Sequence, residues 1–300
     1  MPDTERFLCD AAPAVNQGRR ACQEDTLAVD FTAGADLGFA VLADGMGGHA
    51  AGDVASKVVV TEVFSELKMQ AGDPSATGEN IGSLLRRATD GANDCLATYI
   101  RQFPETAGMG ATLVAPVISG NQLYWISVGD SPLYLFRGQH LFRLNEEHSL
   151  GQQLQDRVDE GALSQELADL HPDRNCLTSA LMGNRIPQVD CREVPVELRH
   201  DDIIVAASDG LQYLTDVQIA RVIFENRFRP ASEITDRLMQ AVLDLQDPEQ
   251  DNIALCTIRV SDPRARRQDP PVRVATRRIF LNLHGEKKQV IGRAQAQALL

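Results

Sequence analysis

Six acidic residues stand where apolar runs begin or end. Asp44 follows the run Leu37–Ala43 and precedes Gly45. Asp209 follows Ile203–Ala207, with Ser208 between, and precedes Gly210. Asp251 stands with Asn252 ahead of Ile253–Val260, Asp130 lies in the turn after Gln122–Val128, and Glu24-Asp25 come just before Leu27–Phe31. Carboxylates at strand ends converge when their sheets share an edge, and such a set supplies the all-oxygen shell that hard cations such as Mg²⁺ and Mn²⁺ take. Asp-Gly is also an ordinary turn dipeptide, and on spacing alone both readings stand. Arg20, four and five residues before the Glu24-Asp25 pair, adds a planar, permanently charged fork suited to two phosphate oxygens. A solvated surface arginine is the plain alternative.

Other chemistries find less support. Gly45-Met46-Gly47-Gly48-His49-Ala50 matches the dinucleotide pattern G-x-G-x-x-A. Asp44 would then point a carboxylate at the pyrophosphate, and no parallel βαβ unit follows. The six histidines show neither i, i+4 pairing nor HExxH, which speaks against a catalytic zinc site. Ser131 and Ser208 sit beside acids without a G-x-S-x-G elbow. The six cysteines include no C-x-x-C pair, so reduced, mostly buried thiols are expected. Trp125 reads as core. Residues 1–10 show no signal peptide and no apolar run approaches a membrane span; a cytoplasmic protein is expected.

The elements that must position these acids read as mixed α and β. Apolar spacing at i, i+3 and i+4 predicts helices over 51–69 and 79–101, flanking a polar loop at 72–78. Strands are expected at 27–31, 37–43, 111–118, 122–128 and 133–137, the last three joined by turns too short for crossover helices and so expected as an antiparallel meander. Residues 146–187 are polar, with weak helical signals at 150–158 and 164–170, and read as an inserted lobe. Strands return at 191–196, 203–207 and 253–260, with helices at 216–224 and 231–245. Such an order fits helices covering antiparallel sheets. Beyond Asp262-Pro263 comes a Pro/Arg-rich linker and one strand-like run, Ile279–Leu283.

The chain has 300 residues, 43% hydrophobic and 24% charged, with a formal net charge of −13. That composition is globular, and the acidity disfavours nucleic acid and anionic membranes. The charge is unevenly placed: residues 264–300 hold nine basic and two acidic side chains, leaving 20 bases against 40 acids in residues 1–263. An acidic domain over 1–262 and a basic linker and tail over 263–300 are expected.

Taken in order, Arg20-Ala-Cys-Gln-Glu24-Asp25, Ala43-Asp44-Gly45-Met46-Gly47-Gly48, Gly110-Ala111-Thr112-Leu113, Val128-Gly129-Asp130-Ser131, Glu147-His148-Ser149-Leu150, Ala207-Ser208-Asp209-Gly210 and Asp251-Asn252-Ile253 resemble the metal-dependent protein Ser/Thr phosphatases of type 2C, bacterial branch. The resemblance covers about residues 13–261. It implies a four-layer αββα sandwich of two antiparallel sheets covered by helices, with a flap at about 152–187 beside a cleft holding two Mn²⁺ or Mg²⁺ ions. By position Asp44 would bridge the metals and Gly45 would offer its carbonyl. Asp209 and Asp251 would ligate one ion, and Asp130 with Asp209 a weaker third. Glu24 and Asp25 would stand behind metal-held waters, with Asn252 beside them, and Arg20 would hold the substrate phosphate.

The implied reaction is hydrolysis of phosphoserine or phosphothreonine by attack of an activated water, in line and without a phosphoenzyme. Met46 stands where some members have histidine, which leaves water as the acid. Pro132 stands where arginine is common. The implied partners are phosphoprotein substrates and a cognate bacterial Ser/Thr kinase, with no nucleic acid or membrane span and a monomeric chain. A catalytically weak phosphoprotein-binding module of the same fold is the alternative.

Overall fold

The computed structural model describes residues 7–32, 37–47, 51–71 and 81–262. The expected loop at 72–78 and everything from 263 onward, including the expected strand at Ile279–Leu283, lie outside the described residues.

In chain order the elements begin with strands β1 (Leu8–Asn16), β2 (Asp25–Asp30) and β3 (Leu37–Met46), then helices α1 (Ala51–Ala71) and α2 (Ile81–Gln102). Strands β4 (Gly110–Ala111), β5 (Leu113–Ser119), β6 (Gln122–Val128), β7 (Leu133–Arg137) and β8 (His140–Arg143) follow. The inserted lobe carries α3 (Leu150–Asp159) and α4 (Gln165–Asp169). Strands β9 (Asp190–Cys191), β10 (Val196–Glu197) and β11 (Ile203–Ala207), helices α5 (Asp216–Asn226) and α6 (Ala231–Leu243), and strand β12 (Ile253–Ser261) complete it.

Two antiparallel sheets result. One runs β1-β12-β11-β7-β8; the other runs β10-β6-β5-β3-β2, with β4 on β3 and β9 on β6. Strand alternation gives each sheet two apolar faces. In β3, Phe39, Val41 and Ala43 pack under α1 and α2, while Ala40 and Leu42 face the other sheet. In β11, Ile204 and Ala206 face between the sheets, while Ile203, Val205 and Ala207 pack under α5 and α6. Three apolar layers therefore separate four layers of secondary structure, the expected αββα sandwich.

Four differences from the sequence reading have physical causes. The meander is not one sheet: β6 belongs to one sheet and β7 to the other, so the turn between them crosses the sandwich and carries Asp130 across. β1 is a strand although Asp10 and Pro13 obscure its pattern; it lies at a sheet edge, where proline is tolerated. β8 lies beyond the runs expected as strands, where His140 and Arg143 leave only two apolar residues, and it pairs with β7. The run expected over 191–196 splits into β9 and β10, where Pro195 removes a ladder donor and the Arg192 guanidinium turns over the Trp125 ring, 5.5 Å from its centre.

Candidate metal and phosphate site

The slot between the sheets is apolar along its length and turns polar at one end. Asp44 continues the alternation of Ala40 and Leu42, and Asp25 that of Leu27 and Val29; the two residues face each other across β2 and β3. Ser208 continues Ile204 and Ala206, and Asn252 precedes Ala254 and Cys256 on the same register. Polar side chains thus take the inward positions where the hydrophobic ones stop.

They lock the two sheets together. Ser208 Oγ donates to Asp25 Oδ2 at 2.7 Å and accepts from the Ala254 amide at 2.9 Å. Asn252 Oδ1 accepts from the Glu24 amide at 2.7 Å, and its Nδ2 donates to the Gln17 and Cys22 carbonyls at 2.8 and 3.0 Å. One asparagine therefore fixes the whole loop that carries Arg20. Thr112, between β4 and β5, accepts from the Asp44 amide at 3.0 Å through Oγ1, and its own amide donates to the Asp44 carbonyl at 2.9 Å. Its hydroxyl also meets Ser131 Oγ at 2.8 Å in the sheet-crossing turn.

Neither Asp-Gly pair is a left-handed turn here: Asp44-Gly45 lies within β3, and Asp209-Gly210 opens a 3₁₀ turn in which the Leu211 amide donates to the Ser208 carbonyl at 3.2 Å. Gly45 and Gly210 are absent from the residues with left-handed φ. A Cβ at Gly45 would run into the Gly52 carbonyl of α1, and one at Gly210 into the Asn252 carbonyl. Both glycines allow backbones to pass close beside the preceding aspartate, which is what setting that aspartate at the sheet edge requires.

Arg20, Glu24, Asp44, Gly45, Asp130, Asp209, Asp251 and Asn252 all line one cleft of about 790 Å³. Asp25 sits behind it, 5% exposed. Burial raises the Asp44 carboxyl well above the ordinary range, and the charges of Asp25, Asp209, Asp130 and Asp251 raise it further. Burial, with Asp209 and Asp251, lifts Asp25 to about 7 against the lowering pull of the Ser208 hydrogen bond. Burial, with Asp209 and Glu147, lifts Asp130 to about 7. Asp209 and Glu24 are raised mainly by burial as well, each with Asp251 adding to it.

Grouped buried carboxylates are unfavourable unless protonated or neutralised. Arg20 brings a cation into the group, pairing with Asp251, and the Arg143 guanidinium eases the charge on Asp130. Among the described residues no three His, Cys, Asp or Glu side chains already close on one point as ligands. The donor set is nonetheless all oxygen, mutually repulsive and open to a cleft, so these residues fit hard divalent cations.

The opposite wall is the inserted lobe. Asp130 meets it through Arg143, which donates to the Asp130 carbonyl at 2.6 Å and pairs with Glu147. The buried His148 accepts from the Gly129 amide at 3.1 Å through Nδ1, so its proton is on Nε2. Its carbonyl accepts from the Thr178 amide at 2.8 Å. Leu181 exchanges two backbone hydrogen bonds of 2.9 Å with Ala111. Met46 lines the cleft and Pro132 does not.

The acids flagged by sequence are thus brought together; Thr112, Ser208 and Arg143 were not flagged as site residues. The first two stand inside recognised motifs, where their small hydroxyls gave no chemical signal of their own. Arg143 lies outside every motif.

These features accord with comparisons to known proteins. Residues 16–252 match the family described as Protein phosphatase 2C. The serine/threonine protein phosphatase PstP of Mycobacterium tuberculosis is 33% identical over 244 residues, covering 81% of this chain and 43% of that protein. The serine/threonine phosphatase stp of Listeria welshimeri is 36% identical over 171 residues, covering 57% of this chain and 65% of that one. A crystal structure of the PstP catalytic domain in complex with two manganese ions superposes with a TM-score of 0.66 at 31% identity, covering 85% of this chain and all of that one. The chain belongs to the protein phosphatase 2C family. Its matched part spans less than two thirds of the length of these two curated relatives.

Proposed function

We propose that this chain is a metal-dependent protein serine/threonine phosphatase, with the activity residing in residues 1–262 and the basic segment 263–300 outside it. The observation that carries the reading is the convergence of Asp44, Asp130, Asp209 and Asp251 with Arg20 on one open cleft. Asp44 and the Gly45 carbonyl, with Asp209 and Asp251, would hold two Mn²⁺ or Mg²⁺ ions, and Asp130 with Asp209 a third. Bound cations supply an activated water for attack on phosphorus and neutralise charge on the transferring group.

The chain's own residues do the rest. Asp25 and Ser208 brace Asp44 and Asp209 from behind. Arg20 is 57% exposed and tied to Asp251 by one ion pair, so it is free to turn. With Asp251 taken up in holding a cation, the Arg20 guanidinium fork would be free for the phosphate oxygens of the substrate. Glu24, fixed through its amide to Asn252, presents its carboxylate to the same space for ordered water. Met46 carries no exchangeable proton, so water protonates the leaving serine or threonine oxygen.

We place this reaction in the cytoplasm, on phosphoproteins made by a cognate bacterial Ser/Thr kinase, with the chain acting as a monomer. Among the described residues no helix is long and apolar enough to cross a membrane. The test is hydrolysis of a phosphothreonine peptide with Mn²⁺ and then with excess chelator. Turnover that requires metal supports the reading. Metal-independent turnover, or phosphopeptide binding with no turnover, overturns it.

A further inference from the structure

The lobe wall of the cleft offers a cation that the proposed chemistry does not use. Among the lining residues from 175 to 187, all are neutral except Arg185. Arg185 is exposed, and among the described residues its side chain has no ion pair or hydrogen bond. This contrasts with Arg20, which is already engaged by Asp251, and with Arg143, held by Glu147 and the Asp130 carbonyl.

The backbone that presents Arg185 is fixed on both sides. Before it, Gly183 N–H donates to Asn93 Oδ1 at 2.9 Å and the Asn184 carbonyl accepts from Asn93 Nδ2 at 2.6 Å. A Cβ at Gly183 would lie 2.7 Å from the α2 backbone at Ala97, so the chain hugs that helix. After it, Pro187 stiffens the loop, the Gln188 amide donates to Ser179 Oγ at 3.0 Å, and that hydroxyl donates back to the Gln188 carbonyl at 2.7 Å. A free guanidinium on a pinned loop, facing a cleft that takes a phosphorylated segment, is preorganised to bind an anion at little ordering cost.

We infer that Arg185 is a specificity residue that binds an anionic side chain of the substrate other than the phosphate being hydrolysed: an aspartate, a glutamate or a second phosphorylated residue close in sequence. The inference rests on the phosphatase reading of the cleft. Carboxylate and phosphate present the same paired oxygens to a guanidinium fork, so the ligand is one chemistry from two sources.

The test uses the full chain with Mn²⁺, the variants Arg185→Ala and Arg185→Lys, and three phosphothreonine peptides differing only in flanks: neutral, Asp/Glu, or a second phosphothreonine. A small aryl phosphate, which cannot reach the lobe, serves as control. For the wild type, an anionic flank lowers KM. Arg185→Ala raises KM about tenfold for the anionic-flanked peptides, the worth of one charge-assisted contact, and leaves kcat, the neutral peptide and the aryl phosphate within about twofold. Arg185→Lys recovers part of the loss. A gain confined to one anionic peptide supports the inference and identifies the preferred source. A wild type indifferent to flanking charge, or an Arg185→Ala effect equal on every substrate, overturns it while leaving the phosphatase reading intact. No turnover of any substrate by the wild type overturns both.

Discussion

The two walls of the cleft are built by different means. The sheet-edge wall is the polar end of an apolar slot: its side chains inherit their positions from strands whose inward residues are buried, and Ser208, Asn252 and Thr112 tie each acid-bearing segment to its neighbour. A one-residue slip there would drive the inter-sheet residues outward, so register and site geometry are specified together. The lobe wall is pinned at its root, where residues 175–187 line the cleft, while the outer lobe that carries it has no such support. Within α3 and α4 only Leu154 and Ala168 are buried, and the helices rest on serine caps at Ser149 and Ser164. The first wall suits chemistry that needs fixed charges; the second, a pinned root under a loosely packed outer lobe, suits contacts that vary with substrate.

The largest expected effect lies on the sheet-edge wall. Asp44→Asn removes the charge at the centre of the carboxylate group while keeping its shape. We expect kcat with a phosphothreonine peptide to fall on the order of 10³-fold, with the fold retained and Tm in chelator unchanged or raised, because a repulsive buried charge is gone. Activity within tenfold of wild type at saturating Mn²⁺ would dissolve the distinction between the walls.

Next in size is Asn252→Ala. It leaves the Glu24 amide and the Gln17 and Cys22 carbonyls without their partner. Unsatisfied groups of this kind cost about 2–4 kcal/mol together, read as a lower denaturation midpoint at constant m. KM should rise more than kcat falls, since the loop that carries Arg20 is what loosens. A loss under about 0.5 kcal/mol would mean that the clasp is not what holds that loop.

How much of this was legible beforehand follows the same division. The strands at 122–128, 133–137 and 203–207 were readable to the residue, because buried β-branched and aromatic runs bounded by Asn, Gly, Pro, Asp and Ser leave little choice. The acids were legible as a set, because each interrupts or ends such a run. What single runs could not show was which sheet each strand joins. The short turn at Gly129–Pro132 looked like a hairpin, and only pairing of β7 with β11 sends it across the sandwich. Nor could sequence distinguish glycine chosen for φ from glycine chosen for close approach, as at Gly45 and Gly210. Asn252 was marked by its motif, but its role as a clasp arises from partners more than 200 residues away.

The carboxylate group also sets a pH dependence. In the folded chain Asp25 and Asp130 titrate near 7, against about 3.9 for an unfolded aspartate. Between those values the folded state holds protons that the unfolded chain has lost, so the contribution of these two groups to stability in chelator is fullest below about pH 4 and is lost as pH rises to about 7. Each such group contributes a slope approaching 1.4 kcal/mol per pH unit within that window. Asp130→Asn should remove about one group's share of the slope measured by denaturation. Mn²⁺ should reverse the trend, raising Tm more at pH 8 than at pH 5, because cations bind the deprotonated carboxylates. A stability that climbs from pH 5 to 7 in chelator at fixed ionic strength would contradict the buried, uncompensated state of the group.

The smallest effect belongs to the outer part of the lobe. Leu167 and Leu170 are 62% and 72% exposed, so Leu167→Ser with Leu170→Ser should shift stability by no more than about 0.5 kcal/mol. The root of the lobe differs, since Leu181 is fully buried and bonded to Ala111 on both sides of its peptide. Hydrogen exchange should divide along this line. Amides across 152–172 should exchange by local opening, orders of magnitude faster than those of Leu181 and Ala111, which should report sub-global unfolding. If 152–172 were protected as strongly as the root, the lobe would be as rigid as the sheet edge, and the contrast between a fixed wall and an adaptable one would fail.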